Sequence, residues 1–207
     1  NILYKNHFKI EALCTWTPKL KSLAGWWTQL FGESDGKQKT GIFPTFAQFS
    51  TDLHSLGQYF QDGERHIIAT HIKVMNEYSL GKNSAQRKMH IPNHSVSDGF
   101  DFLQGKDFSL VQNVAQQGTF IAHSEGGVPT LVWELPELNA WWIGYWMYTN
   151  MFACAVGAYA RNINPFDQPG VEDYKVNMFA LMGKPGFTEH LTKLKSKMQN
   201  VKTFRSC

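Results

Sequence analysis

The hydrophobic residues in the first third of the chain follow a strand pattern, then two helix patterns, then a strand pattern again. Residues 8–13 alternate between apolar and polar side chains, which is typical of an edge strand or a half-buried strand. From Thr17, a suitable N-cap followed by a proline, apolar residues recur at helical spacing up to Gly32. The pattern predicts a second helix from about 51 to 63 and a strand over 67–75.

The remainder of the chain continues this alternation after a polar and irregular stretch, 76–107, in which we expect a loop with a short hairpin. Because strands alternate with helices, the pattern predicts an α/β fold with a parallel sheet covered on both faces. The further predicted elements are helices over 108–117 (closed by Gly118), from about 137, over 171–181 and over 188–198, and strands over 119–122 and 130–135.

The stretch from Ala140 to Ala160 contains 21 residues without a charge. As a helix it would be about 31 Å long, close to the hydrocarbon thickness of a membrane. However, Asn150 falls at its centre, and its tyrosines and tryptophans are spread along it instead of being banded at its ends. A buried core helix explains the same composition, and a membrane-associated or purely structural fragment remains an alternative.

Composition indicates a globular protein of a reducing compartment. Charged residues make up 18% of the 207 positions and aromatic residues 14%, and the net charge of +3 gives no argument for nucleic acid binding. Three widely separated cysteines suggest neither a disulfide framework nor a zinc site. No signal peptide pattern is seen at the N-terminus, so we expect a cytoplasmic protein.

The segment Asn164–Lys175 carries the most specific chemistry. It has two prolines and a glycine within six positions, which predicts a shaped loop in place of a regular element. The loop presents Asp167 and Gln168 and leads into a helix that carries Lys175 about one and a half turns from its start. An amide and an ammonium delivered by a rigid turn suit an oxygen-rich, anionic small molecule, whereas a plain surface turn is the alternative.

The motif Phe166-Asp-Gln-x-Gly-Val-Glu-x-x-Lys175 resembles the C-terminal signature of the glucose-6-phosphate isomerase family, in the form common in Gram-positive bacteria and their relatives. The segments 32–37 (Gly-Glu-Ser-Asp-Gly-Lys), 50–58 and 122–129 are similar to that family in the same order, so the resemblance spans essentially the whole chain. The sequence departs from the family pattern at Ala160-Arg161, where we expect two apolar residues.

The resemblance implies a doubly wound three-layer α/β sandwich with a mainly parallel sheet, the sugar-isomerase (SIS) domain. It implies that residues 1–207 are the C-terminal SIS domain of a longer enzyme, with C-terminal helices from about 171. That enzyme interconverts glucose 6-phosphate and fructose 6-phosphate through a cis-enediol in glycolysis and gluconeogenesis. It is expected to be a cytoplasmic homodimer without cofactor, metal, nucleic acid or membrane partners.

Residue roles also come from the resemblance. Glu33, expected in the turn after the first helix, is the carboxylate base that moves a proton between two sugar carbons. His54, expected at the start of the second helix, opens the sugar ring and reaches the site from the partner subunit. Lys175 assists ring opening, and Gln168 and Gln29 hydrogen-bond the substrate.

Other patterns are declined. His90 and His94 have a metal-face spacing, but Pro92 between them argues against a helix, and His123-Ser-Glu is no triad on contiguity alone. The family's Gly-Gly-Arg stretch and its Ser/Thr-rich phosphate loop do not occur in this sequence, so we expect the isolated chain to be inactive. A non-catalytic, sugar-phosphate-binding regulatory SIS module is the alternative function.

Overall fold

A computed structural model describes residues 2–76, 89–93 and 99–199 of the chain. The chain divides into two compact units, Asn1–Pro165 and Phe166–Cys207. The first unit holds a parallel sheet with helices, and the described part of the second unit, up to residue 199, holds two helices. That residues 1–207 together form one SIS domain stays a prediction.

Among the described residues, the sheet of the first unit has four parallel strands in the order β2-β1-β3-β4. In the register of these strands, Thr15 of β1 lies opposite Gln48 of β2 and Ile72 of β3. The predicted α/β class with a parallel sheet is therefore confirmed. The strands are β1 (Ile10–Thr15), β2 (Phe43–Gln48), β3 (Ile67–Asn76) and β4 (Thr130–Glu137).

Helices cover both faces of this sheet, as the two buried clusters show. Leu13 of β1 packs in one cluster with the helices α2 and α5, and its neighbours Ala12 and Cys14 pack on the opposite face with α3. This alternation within one strand makes the first unit a three-layer, doubly wound arrangement. The helices of the first unit are α1 (Ile2–Lys5), α2 (Lys21–Asp35), α3 (Leu56–Asp62), α4 (Phe108–Glu125) and α5 (Ala140–Tyr159), and those of the second are α6 (Pro169–Leu181) and α7 (Thr188–Gln199).

Several element predictions are wrong in detail. The predicted strand over 119–122 is part of α4. The helix continues through Gly118, which faces solvent at a position where no side chain is needed for packing. The strand β2 was not predicted. The first helix extends past Gly32 to Asp35, and the second begins at Leu56 instead of near 51.

The long uncharged segment forms α5, and a stripe of its residues at four-residue spacing is buried against α2. The side chain of Asn150, in the middle of this stripe, accepts a hydrogen bond from Trp27 Nε1 (3.1 Å) and donates one to the Trp146 carbonyl (2.8 Å). Within the described ranges, no helix combines the length and the hydropathy needed to cross a membrane. The buried stripe consists of Trp146, Asn150, Cys154 and Ala158.

Replacing Asn150 by leucine is expected to lower the free energy of unfolding by about 1–3 kcal/mol. The reason is that the substitution leaves the buried indole N–H of Trp27 without an acceptor. Urea unfolding of the chain and of the Asn150→Leu variant measures this difference. The double variant Asn150→Leu/Trp27→Phe should lose less stability than the sum of the losses in the two single variants. A loss equal to that sum would contradict the coupling between the two side chains.

Candidate functional site

In the sheet order β2-β1-β3-β4, the chain passes from β1 to its neighbour β2 on one side and then crosses to β3 on the other side of β1. In such sheets ligands commonly bind at this switch point, beyond the carboxyl ends of the strands. At that edge a cavity of about 290 Å³ is lined by Trp16, Ser50 and residues of the first turns of α4. None of the five residues predicted from the sequence is among its lining residues. The predicted site residues therefore lie elsewhere in the described part of the chain.

Glu33 lies in the last turn of α2, not in the turn after the first helix as predicted. Its side chain is exposed, and Gln29, one helical turn earlier and also exposed, approaches it with 3.5 Å between Gln29 Nε2 and Glu33 Oε2. The spacing of four residues puts both side chains on one helix face. The structure thus brings the predicted base and one predicted substrate ligand together.

The end of α2 is held by residues that follow α5. The guanidinium of Arg161 forms an ion pair with the carboxylate of Asp35 and lies 3.4 Å from the Asp35 carbonyl oxygen. Lys37 Nζ donates a hydrogen bond to the Asn164 carbonyl (2.5 Å). The segment that bears Glu33 is therefore tied to residues just before the Pro-Phe-Asp-Gln loop. Sequence reasoning noted Arg161 only as a departure from the family pattern, and it did not find Asp35.

A small cavity of about 170 Å³ lies behind this ion pair and is lined by Glu11, Asp35 and Arg161 among other residues. Burial raises the pKa of Glu11, although a 2.7 Å hydrogen bond from Thr70 Oγ1 acts in the opposite direction. Burial also lowers the pKa of Arg161, but an arginine remains charged in proteins. The cavity thus brings three ionisable side chains together beside the last turn of α2.

His54 occupies a turn that follows β2, not the start of a helix as predicted. Asp52 fixes this turn because its Oδ2 accepts a hydrogen bond from the backbone N–H of Gln48 (2.7 Å). The imidazole is exposed and contributes to a shallow pocket of about 470 Å³ between α3 and α4. An exposed imidazole in an open pocket is available to a ligand or to another chain.

Glu33 and His54 lie at opposite ends of the strand β2, Glu33 near its amino end and His54 beyond its carboxyl end. The helix α2 follows β1 and leads to β2, so its last turn returns to the amino end of β2, where Gly32 sits beside Pro44. His54 follows the carboxyl end of the same strand, whose six residues span roughly 16 Å at about 3.3 Å a residue. The two predicted catalytic residues of one chain are therefore not brought together.

The second unit carries Gln168 and Lys175. Gln168 is the exposed N-cap residue of α6, and its side chain makes no capping hydrogen bond. Lys175 Nζ lies 2.8 Å from Glu172 Oε1 on the same helix, and this hydrogen bond raises the pKa of the ammonium group. The ammonium group therefore remains charged at neutral pH, as an anion-binding role requires.

The structure buries His71, which the sequence analysis did not single out, and His123, which it considered only as part of a contiguous triad. His71 Nδ1 accepts a hydrogen bond from Trp16 Nε1 (3.3 Å), and the ring centroids of His71 and His123 are 6.4 Å apart. Burial lowers the pKa of His71 to about 3 and also lowers that of His123. Among the described residues, no group of histidine, cysteine and acidic side chains could hold a metal ion, and His94 lies outside those residues. His90 instead faces Asp107, with Nδ1 2.9 Å from Oδ1.

The sheet order and the helices on both faces define a doubly wound α/β protein with a SIS-like fold. Among solved structures, a hypothetical protein of Thermus thermophilus matches with a TM-score of 0.78 at 23% identity, covering 88% of this chain and 43% of that one. A glucose-6-phosphate isomerase from Chlamydia trachomatis matches with a TM-score of 0.68 at 15% identity, covering 92% and 38%. These matches support the fold class.

The sequence comparison is more specific. The chain is 48% identical over 199 residues to the glucose-6-phosphate isomerase of Bacillus cytotoxicus and 46% identical over 199 residues to that of Fusobacterium nucleatum. Each alignment covers 96% of this chain and 43% of the relative. No family model matches the sequence. The resemblance to glucose-6-phosphate isomerases is confirmed, and the chain spans less than half the length of these curated relatives.

Proposed function

We propose that the full-length protein containing this chain is an aldose-ketose isomerase that interconverts glucose 6-phosphate and fructose 6-phosphate. The observation that carries this proposal is the identity of 46–48% to glucose-6-phosphate isomerases over 96% of the chain. The enzyme needs no cofactor and acts in the cytoplasm in glycolysis and gluconeogenesis. This chain alone covers too little of such an enzyme to turn substrate over.

Glu33 is the base of this reaction. Isomerisation removes a proton from the carbon next to the carbonyl, forms a cis-enediol and returns a proton to the neighbouring carbon. One carboxylate placed over both carbons does this, provided that it is shielded from water. Because Glu33 is exposed in this chain, its shielding has to come from the bound substrate and the protein around it in the working enzyme.

His54 opens the ring of a sugar that is bound at the Glu33 of a second chain. This shared arrangement is supported by the position of Glu33 and His54 of one chain at opposite ends of the strand β2. A site that uses both residues then has to combine two chains, which requires a homodimer with two shared sites. The exposed imidazole in its open pocket suits such an arrangement.

The remaining three roles concern substrate binding and ring opening. Lys175 assists ring opening and binds sugar oxygens as a cation, which the hydrogen bond from its ammonium to Glu172 favours. Gln29 stands beside Glu33 on the same helix face and hydrogen-bonds the substrate there. Gln168 has no side-chain capping bond to give up when it hydrogen-bonds the sugar.

A non-catalytic module that binds sugar phosphate is the second candidate. The exposure of Glu33 favours it, because a carbon-acid base works best when it is desolvated. A sensor needs the binding residues but no base. The two candidates therefore differ in whether Glu33 matters for turnover.

Subunit mixing tests the proposed enzyme. In the full-length protein, the variants Glu33→Gln and His54→Asn should each lose most of the isomerase activity seen in the wild type. When the two inactive variants are unfolded together and refolded, about half of the dimers are mixed, and each mixed dimer has one intact site. The mixture should therefore recover about a quarter of the wild-type activity, measured as fructose 6-phosphate converted to glucose 6-phosphate.

The controls for this experiment are each variant refolded alone and the two variants mixed without refolding. Both should stay at the background of the single variants. A refolded mixture that gives no more than this background contradicts the shared site. A full-length wild-type protein without isomerase activity contradicts the proposed function as a whole.

A further inference from the structure

We propose that Arg161 is a positioning residue for Glu33: its guanidinium clamps the last turn of α2 and so fixes where the base carboxylate stands. This proposal rests on the function proposed above for Glu33.

The contact is made at the end of the helix that carries the base. Asp35 is the last residue of α2 and follows Glu33 by two positions. The guanidinium of Arg161 forms an ion pair with the Asp35 carboxylate and donates a hydrogen bond to the backbone carbonyl oxygen of Asp35 (3.4 Å). The last carbonyls of a helix lack partners within the helix, and its C-terminus attracts cations, so a guanidinium suits this position on both counts.

The pair is largely buried, which separates it from ordinary surface ion pairs. The side chains of Arg161 and Asp35 are 13% and 8% exposed. Removal of either charge leaves the other, largely buried, without its opposite charge. The surface pair Lys193–Glu189, with side chains 67% and 85% exposed, has no such consequence.

The rest of the helix does not depend on this clamp. Leu23, Ala24 and Trp27 anchor the first part of α2 in the core. At the end, Gly36 does not adopt the left-handed conformation that commonly closes helices, since its φ is −82°. Loss of Arg161 should therefore loosen the turn that carries Glu33 while α2 as a whole stays in place.

The kinetic test uses the full-length protein and three variants. Arg161→Met should lower kcat by about tenfold to a hundredfold and change the KM for fructose 6-phosphate by less than about twofold, because the base is misplaced and the binding groups are not. Arg161→Lys keeps the charge and should restore kcat to within about threefold. The matched control is Arg65→Met, since Arg65 also donates to backbone carbonyls, of Phe60 and Gly126 among others, but away from α2.

The second measurement does not depend on activity. Amide hydrogen exchange at residues 33–37 should be at least about tenfold faster in Arg161→Met than in the wild type, with residues 23–27 unchanged. If Arg161→Met does not fold, Asp35→Asn breaks the same pair and replaces it. Unchanged exchange at residues 33–37, or faster exchange with kcat intact, overturns the proposal.

The variant Glu33→Gln, assayed alongside, separates the two possible failures. If Glu33→Gln is inactive and Arg161→Met is fully active, the positioning role is wrong and the proposed function stands. If Glu33→Gln retains its turnover, the base assignment is wrong and the positioning role falls with it.

Discussion

Replacing Glu33 by glutamine in the full-length protein is expected to lower kcat for isomerisation by between about a hundredfold and ten-thousandfold. Glutamine has the shape of glutamate and keeps the contact with Gln29 possible, but its amide cannot take a proton from carbon. Substrate affinity should change by less than about twofold, because the base acts mainly in the transition state. Steady-state kinetics in both directions and calorimetric binding of a sugar phosphate measure the two effects.

Hydrogen exchange into the sugar gives an independent reading of the same step. In deuterated water the wild type should place deuterium on the carbon next to the carbonyl, and Glu33→Gln should do so as slowly as it turns over. Glu64→Gln is a matched control, since Glu64 is also an exposed glutamate, on a loop between α3 and β3. If Glu33→Gln retains turnover, the base role is wrong. If the wild type binds sugar phosphate without turnover, the sensing module becomes the better description.

The strands and helices that sequence reasoning found are those whose periodicity is repeated and unbroken. Residues 67–75 form a strand because nearly all of them are buried in the sheet, and the apolar spacing before Gly32 marks α2. The strand β2, which was not predicted, contains Pro44. A proline removes one ladder hydrogen bond, which a central strand does not tolerate but an edge strand does. In the described sheet β2 is an edge strand, a fact that only the strand order supplies.

The error in α4 has a different cause. Gly118 suggested a helix end, and the β-branched and aromatic residues after it suggested a strand. In the structure these residues stay helical because Phe120 packs on the buried ring of His71, with the ring centroids 4.4 Å apart, and His123 is buried one turn later. Tertiary packing outweighs the cost of one interior glycine, which is about 1 kcal/mol.

The candidate site was predictable as a set of residues but not as an arrangement. The order of the motifs pointed to Glu33, His54 and Lys175. Nothing local in the sequence shows that Glu33 and His54 fall at opposite ends of the strand β2. The ion pair between Asp35 and Arg161 joins residues 126 positions apart, so no periodicity could show it. The roles of the five site residues stay predictions until the variants are assayed.

Mild acid is expected to destabilise this chain through His71. Its ring is fully buried, and burial first, then the neighbouring His123, lowers its pKa from 6.5 to about 3. Below pH 6.5 the unfolded chain therefore binds a proton that the folded chain excludes, so the free energy of unfolding falls as the pH falls towards 3. One pKa unit corresponds to about 1.4 kcal/mol, so the loss from His71 at pH 4.5 is on the order of 3 kcal/mol.

The variant His71→Asn isolates this contribution because asparagine does not titrate and can offer an oxygen to Trp16 Nε1 near the position of Nδ1. Urea unfolding at pH 7, 5.5 and 4.5 should show a shallower fall in stability for the variant than for the wild type. The matched control is His7→Asn, at an exposed residue whose φ of 74° asparagine tolerates, and its pH dependence should follow the wild type. Carboxyl groups that titrate in the same range are common to all three proteins, so the difference between slopes reports His71 together with its coupling to His123. Equal slopes for His71→Asn and the wild type would mean that His71 takes up its proton in the folded chain, and the buried, neutral imidazole described above would be wrong.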